Sequence, residues 1–367
     1  GLTIQQLIEF ALPLGWLPQV SPGTKYVSLG GCVAADVHGK NHHHDGAFSS
    51  SVLSLELIVA DGKRMRCSRD ENSEAFWATI GGMGLIGIIG EVELQLRPVE
   101  SAYIRATHHA ANNLKHAFEL FEEYDSASYS VAWIDLQAQG EAQGRSVVML
   151  GEHASIDELD GAVQNAPLEI KPRGSRRIPF DMPSFLLNPT TIGAFNNLYY
   201  RMEGGKDDSF IVDYEKFFYP LDALSEWNRL YGKPGFLQYQ CVVPREGGYE
   251  ALSKLLDELA QSKHPAFLGV LKKMGAASEG LLTFPMEGYT LALDFPCSGD
   301  ALLELLQRFD AIVTAAGGRV YLAKDARLNA EMLRQMYSNV DAFIKIKHKL
   351  DPGGRFSSNL SRRLGLE

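Results

Sequence analysis

Residues 235–325 contain strand-like and helix-like segments in an order that restricts the fold. Alternating apolar residues predict strands, and apolar residues at helical spacing predict two longer helices. The order β-α-β-β-α-β is typical of a ferredoxin-like split unit, and Gly317 with Gly318 gives the second helix a C-terminal stop. The pattern predicts an α+β fold with an antiparallel sheet. The segments are strand 235–244, helix 248–264, strand 266–274, strand 289–296, helix 299–318 and strand 319–325.

We predict three regions along the chain: residues 1–100, 101–318 and 319–367. The first is Gly-rich and mostly strand-like, with a hairpin at 51–68 that turns at an Asp-Gly pair and a short helix at 73–80. Further strands are predicted at 88–98, 129–137 and 145–153.

Residues 166–193 are rich in Pro, Arg and Gly and show no clear periodicity. Because so long a connection without secondary structure is uncommon in a compact domain, we expect a mobile or substrate-covering loop. Its arginines, Arg173, Arg176 and Arg177, suit either a diphosphate or an anionic membrane surface, and a solvated loop is the alternative.

Charge and composition argue against several classes of protein. The net charge of −10 argues against a general nucleic-acid role. The four cysteines are scattered and form no CxxC pair, which argues against a zinc ribbon or a disulfide scaffold. No apolar run reaches the ~18 residues of a membrane span, and no signal peptide is visible. The chain opens inside an amphipathic helix capped by Thr3 and Gln6, so we expect the natural N-terminus to lie upstream.

Glycines are concentrated in two stretches of the first region. Residues 82–87 fit G-x-G-x-x-G literally, but the predicted helix precedes the motif and the strand follows it. Because dinucleotide binding of the Rossmann type needs the opposite order, we reject NAD binding through this loop. Gly23, Gly30 and Gly31 form the second stretch, which allows either backbone contact with an extended cofactor or tight turns in a β domain.

Four histidines, His38 and His42 to His44, fall within seven positions. Such a run suggests a metal site. The only adjoining carboxylates are Asp36 and Asp45, and a zinc site prefers ligands from separate elements with firm spacing. The run alone therefore leaves a metal site, a catalytic base and a shaped loop open.

Several motifs together resemble the vanillyl-alcohol-oxidase-type family of FAD-binding oxidoreductases. The similar segments are SPGTKYVSLGGCVAADVHGKNHHHDGAFSSSV, AFWATIGGMGLIGIIGEVELQLRP, FLQYQ, YLAKD and LDPGGRF. The resemblance covers nearly the whole chain. It implies a PCMH-type FAD-binding domain at 1–100 without its N-terminal part, a substrate-binding domain at 101–318 and a C-terminal return to the FAD-binding domain at 319–367. The family's pyrophosphate loop is expected upstream of this chain.

The resemblance also implies roles for individual residues. Catalytic roles are implied for Lys324, Tyr321 and His38, the last as a hydrogen-bonding or charge-stabilising group rather than a site of covalent flavin attachment. Substrate contacts are implied for Gln238, Gln240, Lys272, Trp133 and Lys324. FAD contacts are implied for Gly23, Ser28, Leu29, Gly30, Gly31, Ala35, Asp36, Val37, His38, Ile89 and Tyr321.

The implied activity is oxidation of a secondary sugar alcohol, with C2′ of a polyprenylphosphoryl-β-D-ribose as the expected position. The product would be the 2′-keto sugar, the first half of an epimerisation to arabinose for cell-wall synthesis. Expected partners are the polyprenyl-phosphate sugar, a short-chain dehydrogenase/reductase and a peripheral membrane contact, with a location in the cytoplasm or at the inner membrane. Two positions differ from the family pattern and bear on the identity of the sugar. Ala292 lies where a relative has Cys. Phe218, with Tyr219 adjacent, lies near a position that is Tyr in that relative.

Taken alone, the same residues have ordinary interpretations. Gln238 and Gln240 alternate in a strand, so both amides share one face and suit sugar hydroxyls or a solvated sheet. Lys324 and Lys272 are ordinary surface lysines outside the family context, and Trp133 is an ordinary core residue. Two other functions stay open: an FAD-linked alditol or aldonolactone oxidase, and a histidine-rich metal-binding or scaffold protein.

Overall fold

A computed structural model of the chain describes residues 1–170, 174–183, 188–206, 208–262 and 264–367. The chain forms two compact units. The first unit comprises Gly1–Pro98, Gly275–Glu287 and Arg319–Glu367, and the second comprises Val99–Met274 and Gly288–Gly318. Residues 275–287 thus belong to the first unit, although they lie within the predicted 101–318 domain. The cofactor and substrate roles of these regions stay predictions.

The first unit is built from short strands and helices. Its strands β3, β2 and β4 form an antiparallel sheet in that order, and β1 pairs antiparallel with β5. Its strands are β1 Trp16–Pro18, β2 Val52–Ile58, β3 Arg64–Ser68, β4 Ile88–Leu94, β5 Leu96–Pro98 and β15 Arg319–Val320. Its helices are α1 Ile4–Ala11, α2 Leu29–Ala34, α3 His42–Asp45, α4 Ser73–Thr79, α11 Ala330–Met336, α12 Val340–Leu350 and α13 Asn359–Leu364.

Local signals in this region predict the structure well. The hairpin is confirmed as β2 and β3, and Gly62 takes a φ of +87° at the turn, where a residue without Cβ is unstrained. The helix at 73–80 is confirmed as α4. The strand at 88–98 is interrupted at Gln95, which divides it into β4 and β5.

The second unit contains one large antiparallel sheet with the strand order β10-β6-β8-β7-β13-β14-β12. Its strands are β6 Tyr103–Ala111, β7 Tyr129–Ile134, β8 Ser146–His153, β9 Arg176–Arg177, β10 Phe210–Asp213, β11 Leu224–Ser225, β12 Phe236–Pro244, β13 Leu268–Met274 and β14 Gly288–Pro296. Its helices are α5 Leu114–Glu123, α6 Gly161–Asn165, α7 Pro189–Glu203, α8 Tyr214–Phe218, α9 Gly248–Gln261 and α10 Asp300–Ala315.

The predicted β-α-β-β-α-β order is confirmed as β12-α9-β13-β14-α10-β15. Its last strand is shorter than predicted, because a turn replaces the strand after Val320. The antiparallel strands predicted at 129–137 and 145–153 are confirmed as β7 and β8.

The segment at 166–193 is only partly described, and Arg173 lies outside the described residues. Arg176 and Arg177 form the short strand β9, which pairs with β11, and Arg177 makes an ion pair with Glu226 at 2.6 Å. The end of the segment is helical from Pro189 onward. The expected mobility or substrate covering stays a prediction.

Candidate active site

Two of the predicted catalytic residues are neighbours: His38, in a tight loop after α2, and Tyr321, which follows β15. Ser28 caps α2, and its side chain accepts a hydrogen bond from the Gly31 amide at 3.1 Å. The His38 ring is buried, with centroid distances of 5.7 Å to Phe284 and 5.8 Å to Tyr321.

The Tyr321 ring is fixed from both ends. It stacks on Phe284 at 4.4 Å, and its hydroxyl donates to the Ala35 carbonyl at 2.9 Å. Burial, followed by the charge of Asp36, holds the pKa of Tyr321 well above its ordinary value. Tyr321 therefore stays a neutral hydrogen-bond donor, and the loop that carries His38 is tied to the segment that carries Tyr321.

Asp36 holds this loop from the interior of the first unit. The residue is fully buried and has a φ of +40°, a conformation that Asp and Asn tolerate better than most side chains. Its carboxylate accepts hydrogen bonds from the Ser49 amide at 3.0 Å, the Ser278 hydroxyl at 2.5 Å and the Thr283 hydroxyl at 2.6 Å. Burial raises its pKa although these donors oppose the shift. The Asp36 side chain is thus committed to this network, and its predicted FAD contact stays a prediction.

Replacing Asp36 with Ala is expected to lower the free energy of unfolding by about 1–3 kcal/mol, because buried donors lose their acceptor. Asp36→Asn should cost less, since the amide oxygen still accepts and Asn tolerates the positive φ. Urea unfolding measures both changes, with exposed Asp70→Ala as the control in the same unit. An Asp36→Ala protein as stable as the unmodified one would refute the role of the network.

The predicted glycine contacts lie beside strand β4. A Cβ on Gly30 would come within 3.7 Å of the Ile89 Cβ, so these two predicted residues are neighbours. A Cβ on Gly23 would meet nothing within 4 Å, whereas a Cβ on the exposed Gly31 would lie 3.0 Å from Oγ of Ser28. The main chain at Gly23 is therefore open to close approach by a ligand. Leu29 is buried, whereas Ala35 and Val37 are half-buried.

Lys324 is exposed in a turn directly after Tyr321, and its amide donates to the Tyr321 carbonyl at 3.0 Å. The predicted strand through 319–325 is wrong beyond Val320. The chain turns instead, and beyond the Lys324–Tyr321 hydrogen bond the Asp325 side chain accepts from the amides of Arg327 at 2.9 Å and Leu328 at 2.8 Å. Such local hydrogen bonds favour a turn over a strand.

The four predicted substrate residues of the second unit occupy one face of its sheet. One row across the four adjacent strands β7, β13, β14 and β12 contains, in that order, Trp133, Val270, Ala292 and Gln240. Lys272 and Gln238 lie two positions along their strands from that row, so they share its face. The opposite face carries Tyr239, whose ring lies 5.5 Å from Phe309 of α10. Trp133 is buried and packs on Tyr199 of α7 at 4.7 Å.

The histidine run beyond His38 lies in α3. Buried His42 accepts a hydrogen bond from the Gly275 amide through Nδ1 at 3.0 Å, and the His43 and His44 rings lie 4.4 Å apart. Within the part of the chain that the structure describes, no three His, Cys, Asp or Glu side chains are grouped to hold a metal ion. The metal hypothesis therefore gains no support from these histidines.

Several residues around the predicted sites were not predicted from the sequence. Phe284, Ser278 and Thr283 come from the segment that returns to the first unit, and local pattern gives no signal for that return. Thr290 and Asp294 alternate with Ala292 in β14, so the alternation that places Gln238 and Gln240 on one face also places these two residues together on a face. Phe218, discussed above for its position near a family Tyr, packs against Tyr129 at 4.8 Å.

Comparison with known proteins identifies the family. Residues 1–68 match the FAD binding domain family, and residues 235–364 match the D-arabinono-1,4-lactone oxidase family. The decaprenylphosphoryl-β-D-ribose oxidase of Mycolicibacterium smegmatis is 38% identical over all of this chain and 80% of its own length. The chain belongs to the decaprenylphosphoryl-β-D-ribose oxidase family. As a member it is an FAD-dependent oxidoreductase of the type that acts on CH–OH groups.

Two other relatives are similar to all or part of this chain. An uncharacterised protein from the mprA 5′ region of Streptomyces coelicolor is 33% identical over the full length of both chains. The D-arabinono-1,4-lactone oxidase of Yarrowia lipolytica is 33% identical over 30% of this chain and 20% of its own. The predicted family and the α+β fold with a PCMH-type FAD-binding domain are confirmed.

The residues present fit FAD. The open main chain at Gly23 lets an extended dinucleotide approach closely, and the buried His38–Tyr321 pair supplies a ring-lined wall. No helix among the described residues is both long enough and apolar enough to span a membrane.

Proposed function

We propose that this oxidoreductase converts C2′ of a polyprenylphosphoryl-β-D-ribose to the 2′-keto form, the first half of an epimerisation to arabinose in cell-wall precursor synthesis. FAD supplies the acceptor for the hydride that leaves the alcohol carbon. The observation that carries the proposal is the buried His38–Phe284–Tyr321 cluster, with Lys324 in the turn that follows. The 38% identity to a relative named for this substrate supports the choice of sugar.

The chain's own residues would divide the remaining work. Lys324 handles the hydroxyl proton or stabilises the developing alkoxide, while His38 and Tyr321 position the flavin. Gln238 and Gln240 bind sugar hydroxyls, and Trp133 forms an apolar wall. Lys272 lies in the next row of the same face, where its ammonium group suits the substrate phosphate.

Two partners belong to this proposal. A 2′-keto sugar must be reduced from the opposite side to complete an epimerisation, so a short-chain dehydrogenase/reductase is the proposed partner. A polyprenyl chain resides in a membrane, so we propose a peripheral contact with the inner-membrane surface.

The test is a comparison of substrates under anaerobic conditions. The FAD-loaded protein is mixed with polyprenylphosphoryl ribose, and the bleaching of flavin absorbance is followed together with mass spectrometry of the product. We expect bleaching and a product lighter by two hydrogens, with deuterium at C2′ after borodeuteride reduction. Bleaching by a free alditol or aldonolactone but not by the lipid-linked sugar would reject this substrate.

That outcome would favour the second candidate, an FAD-linked alditol or aldonolactone oxidase. The match of residues 235–364 to the D-arabinono-1,4-lactone oxidase family is the observation in its favour.

A further inference from the structure

Two glutamines on the predicted substrate face donate hydrogen bonds to side chains of the neighbouring strand β14. The Nε2 atom of Gln238 lies 2.6 Å from Oδ1 of Asp294, which is directly opposite it in the register. The Nε2 atom of Gln240 lies 3.2 Å from Oγ1 of Thr290. Asp294 and Thr290 are each about 1% exposed, so both acceptors belong to the interior of the sheet.

Hydrogen counting fixes which end of the Gln238 amide faces β14. A carboxylate has no hydrogen to donate, so the amide atom within 2.6 Å of Asp294 must be the nitrogen. The other carboxylate oxygen of Asp294 accepts from the Tyr231 hydroxyl at 3.5 Å. A flipped amide would bring two acceptor oxygens together in a buried site, which is costly.

The same counting applies to Gln240. The Thr290 hydroxyl has one hydrogen, and it donates that hydrogen to the Cys241 carbonyl at 2.8 Å, since a carbonyl only accepts. The Thr290 hydroxyl can therefore only accept a hydrogen bond from Gln240. The nitrogen of the Gln240 amide thus also faces β14. Both orientations follow from the hydrogen-bonding capacity of the partner side chain in β14.

We infer that β14 is an orienting strand, in which Asp294 holds the Gln238 amide so that its oxygen accepts a hydrogen bond from a substrate hydroxyl. The inference rests on the proposed function, because it assumes that this face binds the sugar. An amide that was free to flip would receive donors and acceptors alike, whereas a fixed amide oxygen selects a hydroxyl. Asp294 is thus a positioning residue that acts through Gln238.

The test combines substitutions with deoxygenated substrates. The unmodified protein should show a KM for the 3′-deoxy or the 5′-deoxy analogue about 5- to 10-fold above that for the parent sugar, the effect of one hydrogen bond. In Asp294→Asn the new side chain can donate as well as accept, so it no longer fixes which end of the Gln238 amide faces it. The KM for the parent should then rise about 5- to 10-fold, and the penalty for the deoxy analogue should disappear. The kcat should change less than KM, because the reacting carbon keeps its position.

A double substitution separates positioning from a purely structural effect. If Asp294 acts through Gln238, Asp294→Asn should add no further increase in KM to a Gln238→Leu protein. An equal increase in KM in both backgrounds, or an unchanged penalty for both deoxy analogues, would overturn the inference. The thermal midpoint and the flavin spectrum of each variant report whether the fold is retained.

The orientation of the amide is also measurable without substrate. Hydrogen exchange of the Gln238 side-chain amide by NMR should be slowed in the unmodified protein and fast in Asp294→Asn. Fast exchange in both would contradict the orientation. Slow exchange in a protein that no polyprenylphosphoryl pentose reduces would instead uphold the orientation and reject the proposed function.

Discussion

Replacing Lys324 with Met is expected to lower kcat by roughly 100- to 1,000-fold while FAD remains bound, a loss typical of removing one charge-stabilising group at a reacting centre. Lys324 follows Tyr321 by three residues, and the hydrogen bond from the Lys324 amide to the Tyr321 carbonyl joins both in one turn. Methionine retains most of the length and apolar volume of the lysine stem but lacks its ammonium group, so the change isolates the chemistry.

Stopped-flow flavin reduction measures the rate, and the flavin absorbance of the purified protein measures cofactor retention. Lys345→Met is the matched control, because Lys345 is an exposed lysine of α12 in the same unit. The control should keep the full rate. A Lys324→Met protein that reduces its flavin at the normal rate would remove Lys324 from the catalytic account.

Replacing Lys347 with Met is expected to lower the free energy of unfolding by about 3–5 kcal/mol, the cost of breaking a buried ion pair by removing one partner. Lys347 is 1% exposed, and its ammonium group donates to Asp351 at 3.1 Å. It also donates to the carbonyls of Leu85 at 3.2 Å and Phe356 at 2.7 Å. After the substitution Asp351 is a buried carboxylate without its cation.

Lys349→Met provides the control for this change. Lys349 and its partner Glu74 are each about 70% exposed, so that ion pair is worth at most about 1 kcal/mol. Urea unfolding of the two variants should therefore separate them clearly. Equal free energies of unfolding for the two variants would show that the Lys347–Asp351 ion pair does not stabilise the first unit.

The glycine motif at 82–87 has a packing role in the first unit. The carbonyl of Leu85, within residues 82–87, accepts a hydrogen bond from the buried Lys347. A Cβ at Gly82 would come within 2.1 Å of the Ala78 carbonyl, so glycine is needed there for packing. The rejection of a Rossmann loop agrees with this geometry, since β4 follows the motif.

Elements whose signals are local were predictable. The Asp-Gly hairpin, α4 and the β12-α9-β13-β14-α10 order depend on turn chemistry and periodicity over short stretches. The β15 prediction was too long because a turn, closed by the hydrogen bond from the Lys324 amide to the Tyr321 carbonyl, replaces the strand after Val320.

Long-range associations were not predictable from pattern alone. Asp36 meets Ser278 and Thr283 from more than 240 positions away along the chain. The resemblance supplied site residues that composition and spacing did not distinguish from ordinary surface and core residues. Of these, His38 and Tyr321 are neighbours in the first unit, and Gln238, Gln240, Lys272 and Trp133 share a face in the second.

The central claim is that a lipid-linked ribose delivers its C2′ hydride to the flavin of this protein. The most direct measurement is anaerobic flavin reduction by polyprenylphosphoryl ribose deuterated at C2′, compared with the unlabelled substrate. We predict bleaching with both and a slower rate with deuterium, since the C2′–H bond breaks in that step. Bleaching with no isotope effect from C2′ but a clear effect from deuterium at another carbon, or no bleaching at all, would contradict the claim.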